Sequence, residues 1–325
     1  VVIRKHGIPD EHPPDAVAEA RARDAVVQTH DIAGRTDFRG DTVVTIDGVH
    51  ARDFDDAVSV DRLPNGHYRL AVHIADVAHY VPEGGALDLE AFARGTSVYF
   101  PERAIHMFPH ELATGACSLL PHVDRLVQSC VMEVNGSGEV VRHTLHDGVI
   151  HSAARMTYDD VHAILEGHDE ALRSRYQGLV PAFERMRALF AILNGRRKRR
   201  GSIDFDLPEA EVIVDEDGAI ADIVASERNV AHRIIEEFML LANETVAAHL
   251  ERADMPSLYR VHEAPDPVRL LEFEAFLQSL GHRLDAPAGG AVHPRAFQQL
   301  ADRIRGTPEE RAVAFIPGGE GQQAI

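Results

Sequence analysis

Residues 42–62, TVVTIDGVHARDFDDAVSVDR, contain two strand-like runs joined by a short aspartate-rich segment. The run before Gly48 is apolar and β-branched, which is typical of a buried strand. The run after Asp56 alternates apolar and polar residues, which is typical of a strand. The segment therefore places carboxylates at or beside the ends of two predicted strands: Asp47, Asp53, Asp55 and Asp56.

These four aspartates predict a site for a hard divalent cation. An exposed loop is the ordinary explanation for a group of acidic residues, but Asp47 ends a buried strand and Asp55 and Asp56 lead directly into another. Carboxylates packed together repel one another, which costs free energy unless a cation holds them. Oxygen-only ligation selects Mg²⁺ or Mn²⁺, and sometimes Ca²⁺. We expect the four side chains to converge on such an ion.

Two other kinds of metal site fit the sequence poorly. Neither Asp47 nor Asp53, taken as the first ligand, puts a Gly at position 6 or a Glu at position 12 of an EF-hand loop. Zinc is disfavoured because His106 and His110 bracket a proline and no HExxH motif occurs. The residues alone therefore indicate metal-dependent hydrolysis of a phosphodiester or a phosphoanhydride.

The rest of the chain predicts an α+β fold. We expect helices over 11–30, 86–95, 158–166, 180–193, 227–252 and 267–280, hairpins over 55–77 and 125–150, a second β region from 201 to 224 with a turn at 215–218, and a tail with little regular structure. Strands and helices come in clusters and do not alternate strictly. This favours a mixed, largely antiparallel sheet surrounded by helices.

Composition narrows the class of protein. The 325 residues include 33 Lys and Arg against 52 Asp and Glu, which gives a formal net charge of −19. Such a charge argues against non-specific coating of nucleic acid, but a local basic channel is compatible with it. The basic run 196–200, RRKRR, fits either a solvated loop or a patch that tracks phosphates, and its position just before Phe205 slightly favours the patch.

The cellular setting is also predicted from the sequence. There is no apolar stretch of the length of a transmembrane helix and no apolar signal-peptide core, so we expect no membrane association. Cys117 and Cys130 form no CxxC motif and are interpreted as buried thiols of a cytoplasmic protein, with a disulfide between them left open.

The aspartate-rich segment resembles the signature of the ribonuclease R and ribonuclease II family, the RNB-domain exoribonucleases, and is nearer to ribonuclease R. Further blocks resemble that family in the same order: LAVHIADVAHYV, RGTSVYFPERAIHMFPHELATGACSLLPHVDRL, ARMTYDDVHAIL, RRGSIDFDLPEAEVIV, ERNVAHRIIEEFMLLANETVAAHL and LYRVHEAPDP. The resemblance runs from about residue 3 to about residue 284.

The resemblance implies a Mg²⁺-dependent hydrolase, with Mn²⁺ also possible, that degrades single-stranded RNA processively from its 3′ end to nucleoside 5′-monophosphates. It assigns the metal and catalysis to Asp47, Asp53, Asp55 and Asp56, with Asp55 the most important. It implies that Tyr99 and Phe205 clamp the last bases, although each could also be an ordinary core aromatic.

It further implies that Tyr158 and a glutamate recognise the ribose 2′-hydroxyl, which distinguishes RNA from DNA. Glu236 and Glu237 both lie where that glutamate is expected, with a weak preference for Glu237.

Domain organisation follows from the same resemblance. We expect an N-terminal helix and linker over 1–40 and an RNB-like catalytic domain over 41–325 that is truncated at its C-terminal end, since the family's arginine-rich segment is not found here. Single-stranded RNA is the expected partner, and no obligate protein partner is evident. A catalytically weak or inactive RNA-binding or regulatory protein on the same scaffold is the alternative.

Overall fold

The structure, a computed structural model, describes residues 2–23, 25–101, 103–167, 169–202, 209–214, 220–226, 228–259, 266–284, 294–310 and 312–313. The chain divides into two units. The first contains residues 1–190, 210–224 and 229–246, and the second contains residues 191–209, 225–228 and 247–325.

The described residues form α-helices, β-strands and one short π-helix. The helices are α1 (Val2–Lys5), α2 (Pro14–Arg21), α3 (Thr29–Ile32), α4 (Val77–Tyr80), α5 (Ala86–Arg94), α6 (Tyr158–Leu165), α7 (Glu170–Arg175), α8 (Val180–Arg200), α9 (Val230–Arg252), α10 (Pro267–Ser279) and α11 (Pro294–Ile304). The strands are β1 (Thr36–Asp37), β2 (Val44–Asp47), β3 (Asp56–Arg62), β4 (Tyr68–Ala75), β5 (Val98–Tyr99), β6 (Ala104–Ile105), β7 (Asp124–Val134), β8 (Val140–His151), β9 (Ala154–Thr157), β10 (Glu209–Val214) and β11 (Ile220–Ser226). The π-helix is Leu112–Ala116.

A seven-stranded sheet organises the first unit, in the order β1-β8-β7-β4-β3-β2-β9. The pairs β2–β3, β3–β4, β4–β7 and β7–β8 are antiparallel, whereas β1–β8 and β2–β9 are parallel. The prediction of an α+β fold with a mixed, largely antiparallel sheet is therefore confirmed.

The centre of this sheet is buried on both faces. Residues 57–60 of β3 are all buried, although their side chains point alternately to opposite faces. Helix α9 covers part of one face, because its Thr245 hydroxyl contacts the sulfur of Met132 on β7 at 3.4 Å. The helix predicted over 227–252 is present as α9, and its buried apolar stripe follows helical spacing: Ala231, Ile234, Ile235, Phe238, Leu241, Ala242 and Thr245.

Three local predictions are corrected. The helix expected over 11–30 consists of two shorter helices, because α2 ends at Arg21 and α3 begins only at Thr29, after a capping box at Gln28. The basic run 196–200 is not a loop but the last turns of α8, where positive side chains interact favourably with the helix dipole. The tail after residue 281, predicted to have little regular structure, contains α11.

The second unit has its own apolar cluster, formed by side chains that include those of α10 and α11. Its buried members are Phe273, Leu277, Leu284, Ala296, Leu300, Ile304 and Val313. Arg295 of α11 donates a hydrogen bond to the Arg199 carbonyl at 2.6 Å, and Gln298 donates one to the Lys198 carbonyl at 3.1 Å. These bonds satisfy carbonyls at the C-terminal end of α8, which have no partner within the helix.

The structure also describes the two cysteines and the length and polarity of the helices. Cys117 and Cys130 are buried and free, so they form no disulfide. Within the described residues, no helix is both long enough and apolar enough to cross a lipid bilayer.

Candidate active site

The four aspartates lie where β2 ends and β3 begins. Asp47 is the last residue of β2 and Asp56 is the first residue of β3, with Asp53 and Asp55 in the loop between them. Because β2 and β3 pair antiparallel, the end of β2 and the start of β3 are neighbours on the same side of the sheet, at the ends of its strands. We call Asp47, Asp53, Asp55 and Asp56 the acidic cluster.

The carboxylates of the acidic cluster interact electrostatically. Burial raises the pKa of Asp47 to about 7, and the nearby carboxylate of Asp56 raises it as well. Burial and the charge of Asp55 raise the pKa of Asp56 to about 6. The pKa of Asp55 is raised by burial and then by Asp53. The fold therefore brings the four predicted aspartates together, at a cost in free energy that a bound cation would offset.

The donor chemistry of the acidic cluster fits a hard divalent cation. Among the described residues, Asp47 Oδ2 is buried and has no hydrogen-bond partner, and a charged oxygen in that state is costly unless a cation contacts it. All four side chains offer carboxylate oxygens, the ligands that Mg²⁺ and Mn²⁺ prefer. In the described part of the chain, however, no group of three or more His, Cys, Asp or Glu side chains is already arranged to hold a metal ion. The expected convergence of the four side chains on one ion is therefore not seen among the described residues.

Arg155 is the positively charged side chain that lowers the pKa of Asp47. Its guanidinium donates hydrogen bonds to the carbonyls of Gly48 at 2.7 Å and Val49 at 2.9 Å, and its charge lowers the pKa of Asp47. It also lies 5.4 Å from the centroid of the Phe54 ring. Arg155 therefore holds both ends of the loop that carries Asp53 and partly offsets the repulsion between the carboxylates.

Tyr99 lies beside the acidic cluster. Its hydroxyl donates a hydrogen bond of 2.6 Å to Asp53 Oδ2, and 63% of the residue is exposed to solvent. The ring of His106 packs edge-on against it at 6.3 Å, and His106 Nδ1 lies 3.5 Å from the same Asp53 oxygen. Tyr99 is thus hydrogen-bonded to the acidic cluster, and its ring is exposed and accessible to a ligand.

Tyr158 approaches the acidic cluster from the neighbouring strand. Parallel pairing puts Asp47 opposite Thr157, so Tyr158 begins α6 next to the cluster. Burial and the charges of Asp47 and Asp56 raise the pKa of the Tyr158 hydroxyl to about 12. The hydroxyl therefore stays protonated at neutral pH and can donate a hydrogen bond.

Helix α9 presents a polar face to Tyr158. The ring of His232 stacks on the Tyr158 ring with centroids 3.8 Å apart. Glu236 lies one helical turn after His232 and so shares its face, whereas Glu237 is buried. Helical spacing thus puts Glu236 on the His232 face of α9, whereas the preference from the sequence was for Glu237. Phe205 lies outside the described residues.

Two residues of this site were missed in the sequence. His232 stacks on Tyr158, and Arg155 contacts Phe54 and lowers the pKa of Asp47, but both are far from the aspartates along the chain. Both stand inside blocks that resemble the RNB-domain family, ARMTYDDVHAIL and ERNVAHRIIEEFMLLANETVAAHL. That position is the one signal that could have indicated them, because nothing in the local pattern separates them from surface residues.

The fold and the site define an α+β protein with a carboxylate cluster of the kind that binds hard divalent cations, flanked by aromatic side chains. A family model for the RNB domain matches residues 35–316. The chain therefore belongs to the RNB domain family, which confirms the resemblance noted in the sequence.

Individual relatives agree with this assignment. The chain is 44% identical to Ribonuclease R of Aquifex aeolicus over 316 residues, which cover 97% of this chain and 44% of that protein. It is 40% identical to Ribonuclease R of Escherichia coli over 325 residues, which cover 100% of this chain and 40% of that protein. The solved structure of Mycoplasma genitalium RNase R in complex with ribose methylated single-stranded RNA matches with a TM-score of 0.88 and 26% identity, over 97% of this chain and 49% of that one. The chain thus spans less than half the length of these relatives.

Proposed function

We propose that this chain is the catalytic domain of a divalent-metal-dependent exoribonuclease. In this proposal it hydrolyses single-stranded RNA from the 3′ end and releases nucleoside 5′-monophosphates. The observation that carries the proposal is the set of mutually repelling carboxylates at the β2–β3 edge, in a chain 44% identical to Ribonuclease R. Such a site costs free energy when empty of cations and is suited to chemistry at a phosphate.

The acidic cluster would hold the metal, with Mg²⁺ the proposed ion and Mn²⁺ a substitute. When bound, such an ion polarises the phosphate and lowers the pKa of water. The raised pKa of Asp47, about 7, means that cation binding competes with a proton at this carboxyl group. Asp55 stands between Asp53 and Asp56 in the sequence, and the family resemblance gives it the largest part in catalysis, so we assign it to the reacting phosphate.

The aromatic residues would hold the RNA. A base can stack on the exposed Tyr99 ring, whose orientation is held by the hydrogen bond to Asp53. Phe205 is proposed as the second stacking partner from the resemblance alone. Stacking accepts every base, so it suits an enzyme that shortens RNA of any sequence.

Tyr158 and a glutamate of α9 would select ribose. The Tyr158 hydroxyl is protonated at neutral pH and can donate to the 2′-hydroxyl, while a carboxylate can accept from it. Helical spacing favours Glu236 over Glu237 for this role, because Glu236 shares a face with His232, which stacks on Tyr158.

The decisive experiment uses single-stranded RNA labelled at its 5′ end, incubated with the chain and Mg²⁺. The proposal predicts a ladder that shortens from the 3′ end and nucleoside 5′-monophosphates as the small product. EDTA and the Asp55→Asn substitution should each abolish the ladder, whereas Asp147→Asn, at an exposed position on β8, should not. DNA of the same sequence should resist cleavage.

Other results of this cleavage assay would point to a different function or to different residue roles. RNA that is bound but never cut would identify a binding or regulatory protein on the same scaffold, the alternative noted above. Equal cleavage of DNA and RNA would contradict the roles of Tyr158 and Glu236. The division between an N-terminal region over 1–40 and a catalytic domain from 41, and a cytoplasmic location, remain predictions.

A further inference from the structure

The loop that carries Asp53 and Asp55 is bonded to a buried serine far away in the sequence. Ser118 is completely buried, and its hydroxyl donates to the Arg52 carbonyl and accepts from the Phe54 N–H, both at 3.0 Å. The next residue adds a third bond, because the Leu119 N–H donates to the Phe54 carbonyl at 2.8 Å. The backbone of Arg52 and Phe54 is therefore fixed on both sides of Asp53.

These bonds fix the backbone that carries the two carboxylates. Asp53 and Asp55 are the neighbours of Phe54, whose side chain is itself buried. The Asp55 carbonyl accepts a hydrogen bond of 2.9 Å from the Ala75 N–H at the end of β4. Fixing Phe54 and the Asp55 carbonyl leaves little freedom to either carboxylate except rotation about its own side-chain bonds.

Ser118 is held in turn by a buried arginine. Only 6% of Arg125 is exposed, and within the described residues it forms no ion pair with a carboxylate. Its guanidinium donates instead to backbone carbonyls: Ser118 at 2.8 Å, Asp124 at 3.0 Å, Ala25 at 3.1 Å and Gly115 at 3.2 Å. A buried cation is costly unless such acceptors satisfy it, so the chain around Gly115–Ser118 is arranged about this guanidinium.

We propose that Ser118 and Arg125 are positioning residues for the acidic cluster. The Ser118 hydroxyl sets the backbone that carries Asp53 and Asp55, and Arg125 sets Ser118. The proposal deepens the proposed function and rests on it, because the geometry preserved is that of the metal-binding carboxylates. Groups that orient the ligands of a metal affect its affinity by about 10- to 100-fold, although they never touch it.

The test compares Ser118→Ala with Ser129→Ala in the full chain. Ser129 is also buried and its hydroxyl also forms a side-chain hydrogen bond, of 2.8 Å to His73, but it does not contact the loop. Three properties are measured for each: Mn²⁺ affinity by electron paramagnetic resonance without RNA, kcat and KM on single-stranded RNA, and the thermal midpoint. Ser118→Ala should weaken Mn²⁺ binding about tenfold and lower kcat about 100-fold, with KM changed less than about threefold. Ser129→Ala should lower the thermal midpoint without either loss.

Two further variants separate positioning from stability. Ser118→Thr keeps the hydroxyl but crowds a packed site, so it should lose thermal stability and keep Mn²⁺ affinity within about threefold of the unsubstituted chain. Arg125→Lys keeps the charge but not the fork of donors, so its Mn²⁺ affinity should fall between those of Ser118→Ala and the unsubstituted chain. If Mn²⁺ affinity and kcat fall in proportion to the thermal midpoint in every variant, Ser118 and Arg125 have a structural role only.

Failure of the positioning proposal and failure of the exonuclease proposal give different results. If the unsubstituted chain binds Mn²⁺ but does not cut RNA, the exonuclease proposal fails, while weaker Mn²⁺ binding by Ser118→Ala still supports positioning. If Ser118→Ala and Ser129→Ala bind Mn²⁺ equally well, the positioning proposal is overturned whatever the activity on RNA.

Discussion

Replacing Asp47 with Asn should make the metal-free protein more stable at alkaline pH. Burial raises the pKa of Asp47 from 3.8 to about 7. An acid whose pKa is higher in the folded state loses its proton first in the unfolded state, so stability falls as pH rises from about 4 to about 7. Asn has no charge to bury, and the substitution should therefore remove this part of the pH dependence.

The size of the effect follows from the same pKa. A difference of about three pKa units corresponds to about 4 kcal/mol in the free energy of unfolding at pH 8, and to about 2 kcal/mol at pH 5. Both values are upper bounds, because Asp56 ionises in the same range and the two carboxyl groups titrate as a coupled pair.

The assay is urea unfolding followed by circular dichroism at pH 5 and pH 8, in EDTA and then in Mg²⁺. In EDTA, Asp47→Asn should be more stable than the unsubstituted chain, and the difference should be larger at pH 8. Mg²⁺ should stabilise the unsubstituted chain and have a smaller effect on the variant. Asp147→Asn, at an exposed position on β8, is the matched control and should change neither property. A variant that is less stable than the unsubstituted chain at both pH values, with an unchanged response to Mg²⁺, would refute this account of the acidic cluster.

Substitutions at three further positions test separate parts of the structure. Tyr158→Phe should reduce the preference for RNA over DNA about tenfold, the worth of one hydrogen bond, with an unchanged thermal midpoint, and an unchanged preference in cleavage assays would contradict its role. Tyr99→Phe keeps the stacking surface and should change KM for RNA little, whereas Tyr99→Ala should raise KM about tenfold or more; equal KM values would exclude stacking at Tyr99. Burial lowers the pKa of His73 to about 3, so the unfolded state takes up a proton first as pH falls below about 6.5 and stability is lost. His73→Leu should remove about 2 kcal/mol of the stability lost between pH 7 and pH 5 in urea unfolding, and a slope equal to that of the unsubstituted chain would contradict a buried neutral His73.

Local sequence patterns predicted much of the fold because they carry their own periodicity. The alternation after Asp56 and the stripe of α9 both correspond to elements of the structure. The predicted helix over 11–30 failed because good helix formers continue past Arg21, where the chain leaves the helix. For the basic run at the end of α8, the sequence was compatible with a solvated loop and with a phosphate-tracking patch. Charge alone does not reveal whether a helix continues through such a run.

The candidate site was predictable only where its residues are close in sequence. The aspartates lie within ten positions of one another. Their proximity could therefore be predicted from the end of one strand and the start of the next. Arg155 comes near Asp47 through the parallel pairing of β2 with β9, and Ser118 reaches Phe54 from a chain segment more than sixty residues away. Contacts of this kind depend on the tertiary fold, and no local pattern records them.

The most direct test of the metal site is a crystal of the chain soaked in Mn²⁺ and measured at a wavelength where manganese scatters anomalously. We expect a strong anomalous peak where β2 ends and β3 begins, with carboxylate oxygens of Asp47, Asp55 or Asp56 about 2.1 Å away. The same peak should be lost in Asp55→Asn crystals. Absence of any peak among these carboxylates, in crystals that bind Mn²⁺ elsewhere, would show that the acidic cluster does not hold a divalent cation.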